Sequence, residues 1–334
     1  MEEMKGLKEY IASKKYREAL GLPGEVEESY RLLAQGEYNR NYYFEHPSDK
    51  RKLVLRVNLG SQMHLKDQIG YEYNALKLLE DSGRTPKPLY ADGSLKELDH
   101  GVMVMEFLPG KALDYQRDLY RAAPILGDIH KLRLPKEHGL LIQKDSAAAV
   151  LGECRKMFRV YRDSPLASLL VKRRIERMME RVEAFAKKLS REPQYRCCIN
   201  TELNSGNFLI GEEGDYLVDW EKPVFGEPAQ DLGHFLAPTT SFWKTEVILD
   251  RKDCEEFISR YIEYTEGEFK NSDIGERVQA YIPINCMRGI SWCAMAWIQY
   301  KMQDKPLINE FTANKLNAYL SPEFLNMLES EYIV

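Results

Sequence analysis

The sequence predicts an α+β fold with a small β-rich lobe followed by a larger, mainly helical one. Three observations carry this. Between residues 29 and 108 the apolar residues fall in short β-rich runs separated by turn formers. Beyond residue 110 they recur at helical spacing over longer segments. One β interruption, "FLIGEEGDYLVDW", then breaks the helical half with a hairpin whose turn holds Gly211 and Gly214.

Taken in order, residues 1–28 read as a helical extension of one or two short helices, broken at "GLPGE" by Pro23 and Gly24. "YRLLAQGEYNRNYYFEHP" gives a strand–turn–strand around Gly36-Glu37-Tyr38-Asn39, and "KLVLRVNLG" a compact strand. In "QIGYEYNALKLLEDSG", Ile69, Tyr73, Leu76 and Leu79 repeat at helical spacing and Gly83 is a stop. "PKPLYADGS" and "GVMVMEFLPG" supply two more strands, completing a lobe over 29–108. In the second lobe, 109–334, "YRAAPILGDIHKL", "DSAAAVLGECRKMFRVY", "PLASLLVKRRIERMMERVEAFAKKL", "CEEFISRYIEY" and "RVQAYIPINCMRGISWCAMAWIQYKM" read as helices. Trp292, Ala296 and Tyr300 share a stripe that reads as core, the alternative being that part of it floors a binding pocket. "APTTSFWKT" breaks the helix at Pro238 and strings hydroxyls, two aromatics and a lysine together, readable equally as the lining of a binding site or as a mere loop.

The bulk numbers exclude some classes. With 334 residues, 44% hydrophobic and 30% charged, the chain has ample core for two lobes. Its net charge of -5, without a basic stripe, gives no footprint for nucleic acid. The mixed-sign run from Val171 to Leu189 is a solvated helix face. The charged N-terminus lacks the apolar region of a secretory signal, and no apolar stretch is long enough for a membrane span. Six cysteines without a CxxC pair suggest reduced thiols in a cytoplasm and speak against zinc.

The chemistry concentrates in "CINTELNSGNFLIGEEGDYLVDWEKP". Glu202, Asn207 and Asp219 follow in the order acid, amide, acid, and the hairpin would return Asp219 beside Asn207. Phosphoryl transfer needs hard oxygen ligands for Mg²⁺, a cation on the nucleotide phosphates and an acid positioning the attacking hydroxyl. Asn207 and Asp219 are suitable metal ligands, and Glu202 a suitable positioning acid. Taken singly, Asn204 to Gly206 are turn formers and Asp219 ends a strand.

Together with "GEPAQDLG" at Gly226 to Gly233, these residues resemble the aminoglycoside phosphotransferase and choline kinase family, which shares the protein-kinase fold. The family pattern is His-x-Asp-x-x-x-x-Asn, then Asp-Trp or Asp-Phe, then Gly-Asp/Glu-Pro-x-x-Asp-Leu-Ala/Gly. Here it stands as Asn200-Thr201-Glu202, Asn207, Asp219-Trp220-Glu221 and Gly226 to Gly233, over roughly residues 29 to 300. The resemblance implies a protein-kinase-like fold, ATP, Mg²⁺ and a small-molecule hydroxyl or amine acceptor.

It also implies roles. Arg56 takes the place of the phosphate-contacting lysine, its guanidinium offering forked contacts to phosphate oxygens. Glu72 would pair with Arg56, although a lone Glu on an amphipathic helix is otherwise simply solvated. "MEFLPG" resembles the hinge, where backbone groups of Glu106 and Leu108 would read the adenine edge. Tyr38, Asn39 and Arg40, in a loop with one glycine, would cover the phosphates. Asp231 would buttress the catalytic loop by accepting backbone N–H bonds and cap the helix "DLGHFL". His130 and His234 read as packing residues.

The chain departs from the family at two positions. Glu202 keeps the carboxylate of the usual Asp but is one methylene longer, where misplacement near 1 Å costs about a hundredfold in rate. Asn200 replaces a loop-holding histidine and retains a donor and an acceptor. The intact metal pair and phosphate cation favour a competent kinase. The alternative is a nucleotide-binding pseudokinase or regulatory protein. For the acceptor, the acids around Asp250 to Glu268 would suit an aminoglycoside, and Trp243, Trp292 and Tyr300 would suit choline.

Overall fold

A computed structural model describes residues 4–189, 192–302 and 310–333. In chain order the elements run α1 (Leu7–Ala12), α2 (Lys14–Leu20), β1 (Arg31–Gln35), β2 (Asn39–Glu45), β3 (Lys52–Asn58), α3 (Gln68–Leu79), β4 (Pro88–Asp92), β5 (Val102–Glu106) and β6 (Lys111–Ala112). Then come α4 (Tyr115–Asp118), α5 (Ala122–His130), α6 (Ser146–Arg162), α7 (Leu169–Lys188), β7 (Cys197–Ile199), β8 (Phe208–Ile210), β9 (Asp215–Leu217) and β10 (Val224–Gly226). The chain continues with α8 (Pro228–Leu236), α9 (Pro238–Lys244), α10 (Arg251–Tyr264), α11 (Ile274–Lys301), α12 (Glu310–Tyr319) and α13 (Pro322–Met327). The α+β expectation holds.

These elements group into two compact units. The first comprises Met1–Ala112, Leu132–Leu141 and Asn207–Pro223; the second comprises Leu113–Lys131, Ile142–Gly206 and Val224–Val334.

The first unit is built on an antiparallel sheet of order β1-β2-β3-β5-β4. Strand alternation sorts its side chains. Leu53, Leu55 and Val57 of β3 join a core with Leu7, Ile11 and Tyr16 from α1 and α2. Val54 and Arg56 therefore point to the other face of the sheet. Ser13 ends α1 and caps α2, its Oγ accepting the Tyr16 N–H at 3.4 Å. The helical extension is fastened by a buried ion pair, Arg17 Nη1 to Glu28 Oε1 at 2.7 Å. A smaller sheet of order β6-β8-β9 contains the expected hairpin.

The second unit is helical around α11, which packs on α6, α7 and α8. A side chain on Gly233 of α8 would collide with Tyr281 of α11, and one on Gly289 would collide with Thr239 of α9. Both glycines allow close helix approach. Inside this unit β7 pairs antiparallel with β10, and an isolated parallel bridge joins Ile142 to Phe225 of β10.

Two expectations are corrected here. "APTTSFWKT" is the helix α9, because Pro238 ends α8 and occupies the first turn of the next helix, where its missing N–H costs nothing. The stripe Trp292, Ala296, Tyr300 is not core: Trp292 is 39% exposed and the other two are half-buried. The described residues contain no helix long and apolar enough to cross a membrane. All six cysteines are free and buried.

Candidate functional site

In the first unit the site grows from Arg56. It sits in the middle of the sheet, paired in register with Asn41 of β2 and Met103 of β5. Its side chain leaves on the face opposite the α1/α2 core and is 7% exposed. A buried guanidinium needs partners. Nη1 donates to Glu72 Oε2 at 2.7 Å, Nη2 to Asp219 Oδ1 at 3.1 Å, and Nε to Asn41 Oδ1 at 3.1 Å. Glu221 Oε1 lies 3.9 Å from Nη1. Burial works against the charge of Arg56, but these carboxylates outweigh it and raise its pKa above the ordinary arginine value.

Glu72 reaches Arg56 from α3, which begins with Asp67 accepting the Gly70 N–H at 2.8 Å. Its carboxylate is fully buried, so desolvation pushes its pKa up against the pull of Arg56. Gln68, one helical turn earlier, donates from Nε2 to Glu72 Oε1 at 3.0 Å and to the Glu221 carbonyl at 2.7 Å.

Asp219 follows β9 in a left-handed backbone, φ +66, an unusual conformation for a non-glycine residue that is held here by its surroundings. Its side chain is 43% exposed although one oxygen meets Arg56. Asn207 lies in the same unit, its carbonyl accepting the Val218 N–H at 2.8 Å. The hairpin thus returns the chain to Asn207 immediately before Asp219.

Glu221 is a residue that sequence reasoning passed over. Its side chain is 20% exposed, and it accepts a hydrogen bond from the Asn39 amide. Burial first, then the neighbouring Asp219 charge, push its carboxyl up to about 7, against the pull of Arg56. Its place two residues after Asp219, within the quoted motif, was the available signal.

Asn39 is only 1% exposed, with Oδ1 accepting from Asn58 Nδ2 at 3.1 Å. The Tyr38 carbonyl accepts from the Leu59 N–H at 2.7 Å. These contacts tie the loop down to β3 and to Glu221. At the expected hinge, the Glu106 N–H donates to Lys87 O at 2.9 Å and Leu108 is buried. Of Glu106's two backbone groups, the N–H is therefore committed to the sheet.

The donor set of the first unit suits a hard divalent cation: a half-exposed carboxylate, an amide, and a second carboxyl on the same turn. Among the described residues no group of three or more His, Cys, Asp or Glu forms a metal cage.

The second unit holds the other half of the motif. The Asp231 carboxylate is fully buried and accepts the Asn200 N–H at 2.7 Å and the Thr201 N–H at 2.7 Å. It does not cap its helix, because α8 starts at Pro228 and Asp231 lies inside the first turn. His130 Nε2 lies 3.5 Å from Asp231 Oδ2, and its Nδ1 meets the Tyr261 hydroxyl at 2.9 Å. Asn200 Oδ1 accepts the Glu202 N–H at 3.1 Å, forming a local turn in the loop. Thr201 adopts φ +73.

Glu202 does not stand alone. Arg288 of α11 donates from Nη2 to Glu202 Oε1 at 2.9 Å and from Nη1 to the Thr201 carbonyl at 2.8 Å. Its Nε lies 3.3 Å from Glu153 Oε2. Burial again opposes the charge, and Glu202 and Glu153 together hold the Arg288 pKa above its usual value. His234, with Nδ1 on Asn285 Oδ1 at 3.1 Å, is kept neutral: burial and then the Arg288 cation push its pKa down to about 4. An arginine inside the apolar stretch "PINCMRGISWCAM" was the sequence signal for Arg288, since such a residue needs a buried partner.

The sequence profile of the phosphotransferase enzyme family matches residues 29–269. Sequence comparison with curated proteins finds no match. Among solved structures, a choline kinase from Cryptosporidium parvum superposes with a TM-score of 0.66 at 14% identity, covering 98% of this chain and 98% of that one. A Plasmodium vivax ethanolamine kinase gives 0.63 at 16% identity, over 96% and 93%. A spectinomycin phosphotransferase in complex with ADP and spectinomycin gives 0.61 at 14% identity, over 92% and 93%. The fold is that of the protein-kinase-like phosphotransferases.

Proposed function

Given that the chain belongs to the phosphotransferase enzyme family, we propose that it transfers the γ-phosphoryl group of ATP to a hydroxyl or amine of a small molecule. One observation carries this reading: Arg56 stands between the buried Glu72 and the half-exposed Asp219, with Asn207 in the same unit. Anchored at one end, the guanidinium presents fixed N–H groups suited to phosphate oxygens. A related fold solved with ADP supports a nucleotide ligand.

In this reading residues 29–108 carry nucleotide binding, while 109–334 carry the catalytic loop, metal ligands and acceptor site. The Glu106 carbonyl and Leu108 N–H take the adenine edge, and the Tyr38–Asn39 loop covers the phosphates once Asn39 leaves Glu221. Asn207 and Asp219, with Glu221 beside them, would hold Mg²⁺, which supplies charge neutralisation on the phosphates. Glu202 orients the attacking hydroxyl and takes its proton late, as a loose transition state requires. Asp231 and Asn200 hold the loop that carries it.

For the acceptor, an aromatic-lined site is the better supported of the two readings. Acids on α10 are engaged in exposed pairs, Arg251–Glu255 and Arg260–Glu256, each at 2.7 Å. Trp243 and Trp292 meet edge to face at 5.1 Å, with Trp292 exposed. Six reduced, buried cysteines support a cytoplasmic location.

The test begins with thermal stability. ATP with Mg²⁺ at a hundred times Kd is expected to stabilise the fold by about 2.7 kcal/mol, and no stabilisation overturns the reading. ATP turnover is then measured against a panel of amino alcohols, sugars and antibiotics, with Asp219→Ala as the blank. Binding without turnover for any acceptor, water included, selects the pseudokinase alternative.

A further inference from the structure

We propose that Arg288 is a positioning residue for Glu202, clamping the longer acidic side chain that this chain carries in its catalytic loop. The inference rests on the phosphotransferase reading of Glu202. A glutamate has one more rotatable bond than an aspartate, and a positioning acid that samples several rotamers spends little time in the productive one. The main chain beneath it is already fixed, because Asp231 holds the Asn200 and Thr201 N–H groups at 2.7 Å each and Asn200 holds the Glu202 N–H at 3.1 Å. What remains to be fixed is the end of the side chain.

Arg288 does this through one rigid plane. Its Nη1 takes the Thr201 carbonyl at 2.8 Å and its Nη2 takes Glu202 Oε1 at 2.9 Å. A single guanidinium therefore refers the carboxylate to the backbone of the residue before it. The clamp is itself seated. Its side chain is 12% exposed, with Glu153 on its third edge at 3.3 Å. The neighbouring Gly289 lets α11 press against Thr239 without a side chain between. A carboxylate offers about four lone-pair sites, so the contact with Arg288 leaves capacity for an acceptor hydroxyl.

The test uses ATP hydrolysis with water as the acceptor, measured as ADP release by the full chain. Arg288→Ala is expected to lower kcat about a hundredfold while the KM for ATP stays within about twofold. Guanidinium chloride at about 20 mM should restore at least tenfold of that loss, and sodium chloride should not, because only the former replaces the planar donor. The double variant Arg288→Ala/Glu202→Gln should be no slower than Glu202→Gln alone and should not respond to guanidinium, as expected of residues acting as a unit.

Additive losses in the double variant, or a loss that guanidinium leaves unchanged, overturn the clamp while the phosphotransferase reading stands. So does a rate unaffected by Arg288→Ala. Absence of turnover in the parent protein with every acceptor overturns that reading and the inference with it. Should Arg288→Ala fail to fold, Arg288→Lys carries the test, with a kcat loss of at least about tenfold expected from the missing fork.

Discussion

Arg56 in the first unit and Arg288 in the second each hold a carboxylate that matters to the proposed chemistry, and they hold it differently. Arg56 is anchored by Glu72, whose side chain is fully buried, and meets Asp219 with its remaining edge. Arg288 has no such buried anchor: both its acids, Glu202 and Glu153, have side chains more than a third exposed. The first arrangement is a fixed cation with surplus negative charge around it, which the proposed function reads as the place of a divalent metal and phosphates. The second is a clamp on a side chain that must stay accessible. A buried pair loses heavily when one member is removed, whereas a half-exposed pair is relieved by water.

The contrast can be broken most forcefully at Glu72. Replacing it with Leu leaves Arg56 buried without its anchor, and a loss of about 3–5 kcal/mol in stability is expected. Equilibrium denaturation of Glu72→Leu checks this. A loss below about 1 kcal/mol would mean that Asp219 and Glu221 carry the cation unaided.

Next in size is the length of the acid at 202. In a loop and clamp set for glutamate, Glu202→Asp withdraws the carboxylate from Arg288 and should lower kcat about a hundredfold with little change in KM for ATP. A variant as fast as the parent would show that the loop, not the clamp, positions the acid.

The two clusters also differ in their response to pH. The Glu221 carboxyl stands at about 7 in the folded protein, above its usual value near 4.5, through burial and the adjacent Asp219. A raised acid binds its proton more tightly in the folded state, so the contribution is present below pH 4.5 and is lost as pH rises towards 7. Between pH 5 and 8 the metal-free protein should lose about 2 kcal/mol by this route, and Glu221→Gln should remove that loss. His234 acts in the opposite sense: its pKa of about 4 makes the second unit lose stability as pH falls below about 6.5. Denaturation curves of the parent and Glu221→Gln at several pH values separate the two.

How much of this was legible in the sequence follows from the range of the signals. The strand Lys52–Asn58 and the helix Gln68–Leu79 announce themselves by period, and the resemblance then links Arg56 to Glu72. The acid–amide–acid order alone makes Asn207 and Asp219 candidates. Glu221 was quoted in the motif yet not weighed, because its raised pKa comes from burial that a sequence does not display. Arg288 lies 86 residues from Glu202, and only tertiary packing of α11 joins them. The same limit applies to Trp292: helical spacing showed a stripe, but which side of α11 other helices leave uncovered is a property of the fold.

The smallest effect is expected at Glu153, the second acid on Arg288. Its side chain is 39% exposed, and the contact of 3.3 Å to Nε is solvated on one side. Glu153→Gln keeps the shape and an acceptor oxygen while removing the charge. By the behaviour of exposed ion pairs, stability should change by less than about 1 kcal/mol. Paired denaturation curves of Glu153→Gln and Glu72→Gln then measure the comparison directly: a small loss at 153 beside a large one at 72 is the outcome set by burial. Equal losses would place Arg288 in surroundings as dry as those of Arg56, and the clamp would have to be counted among the structural ion pairs of the core.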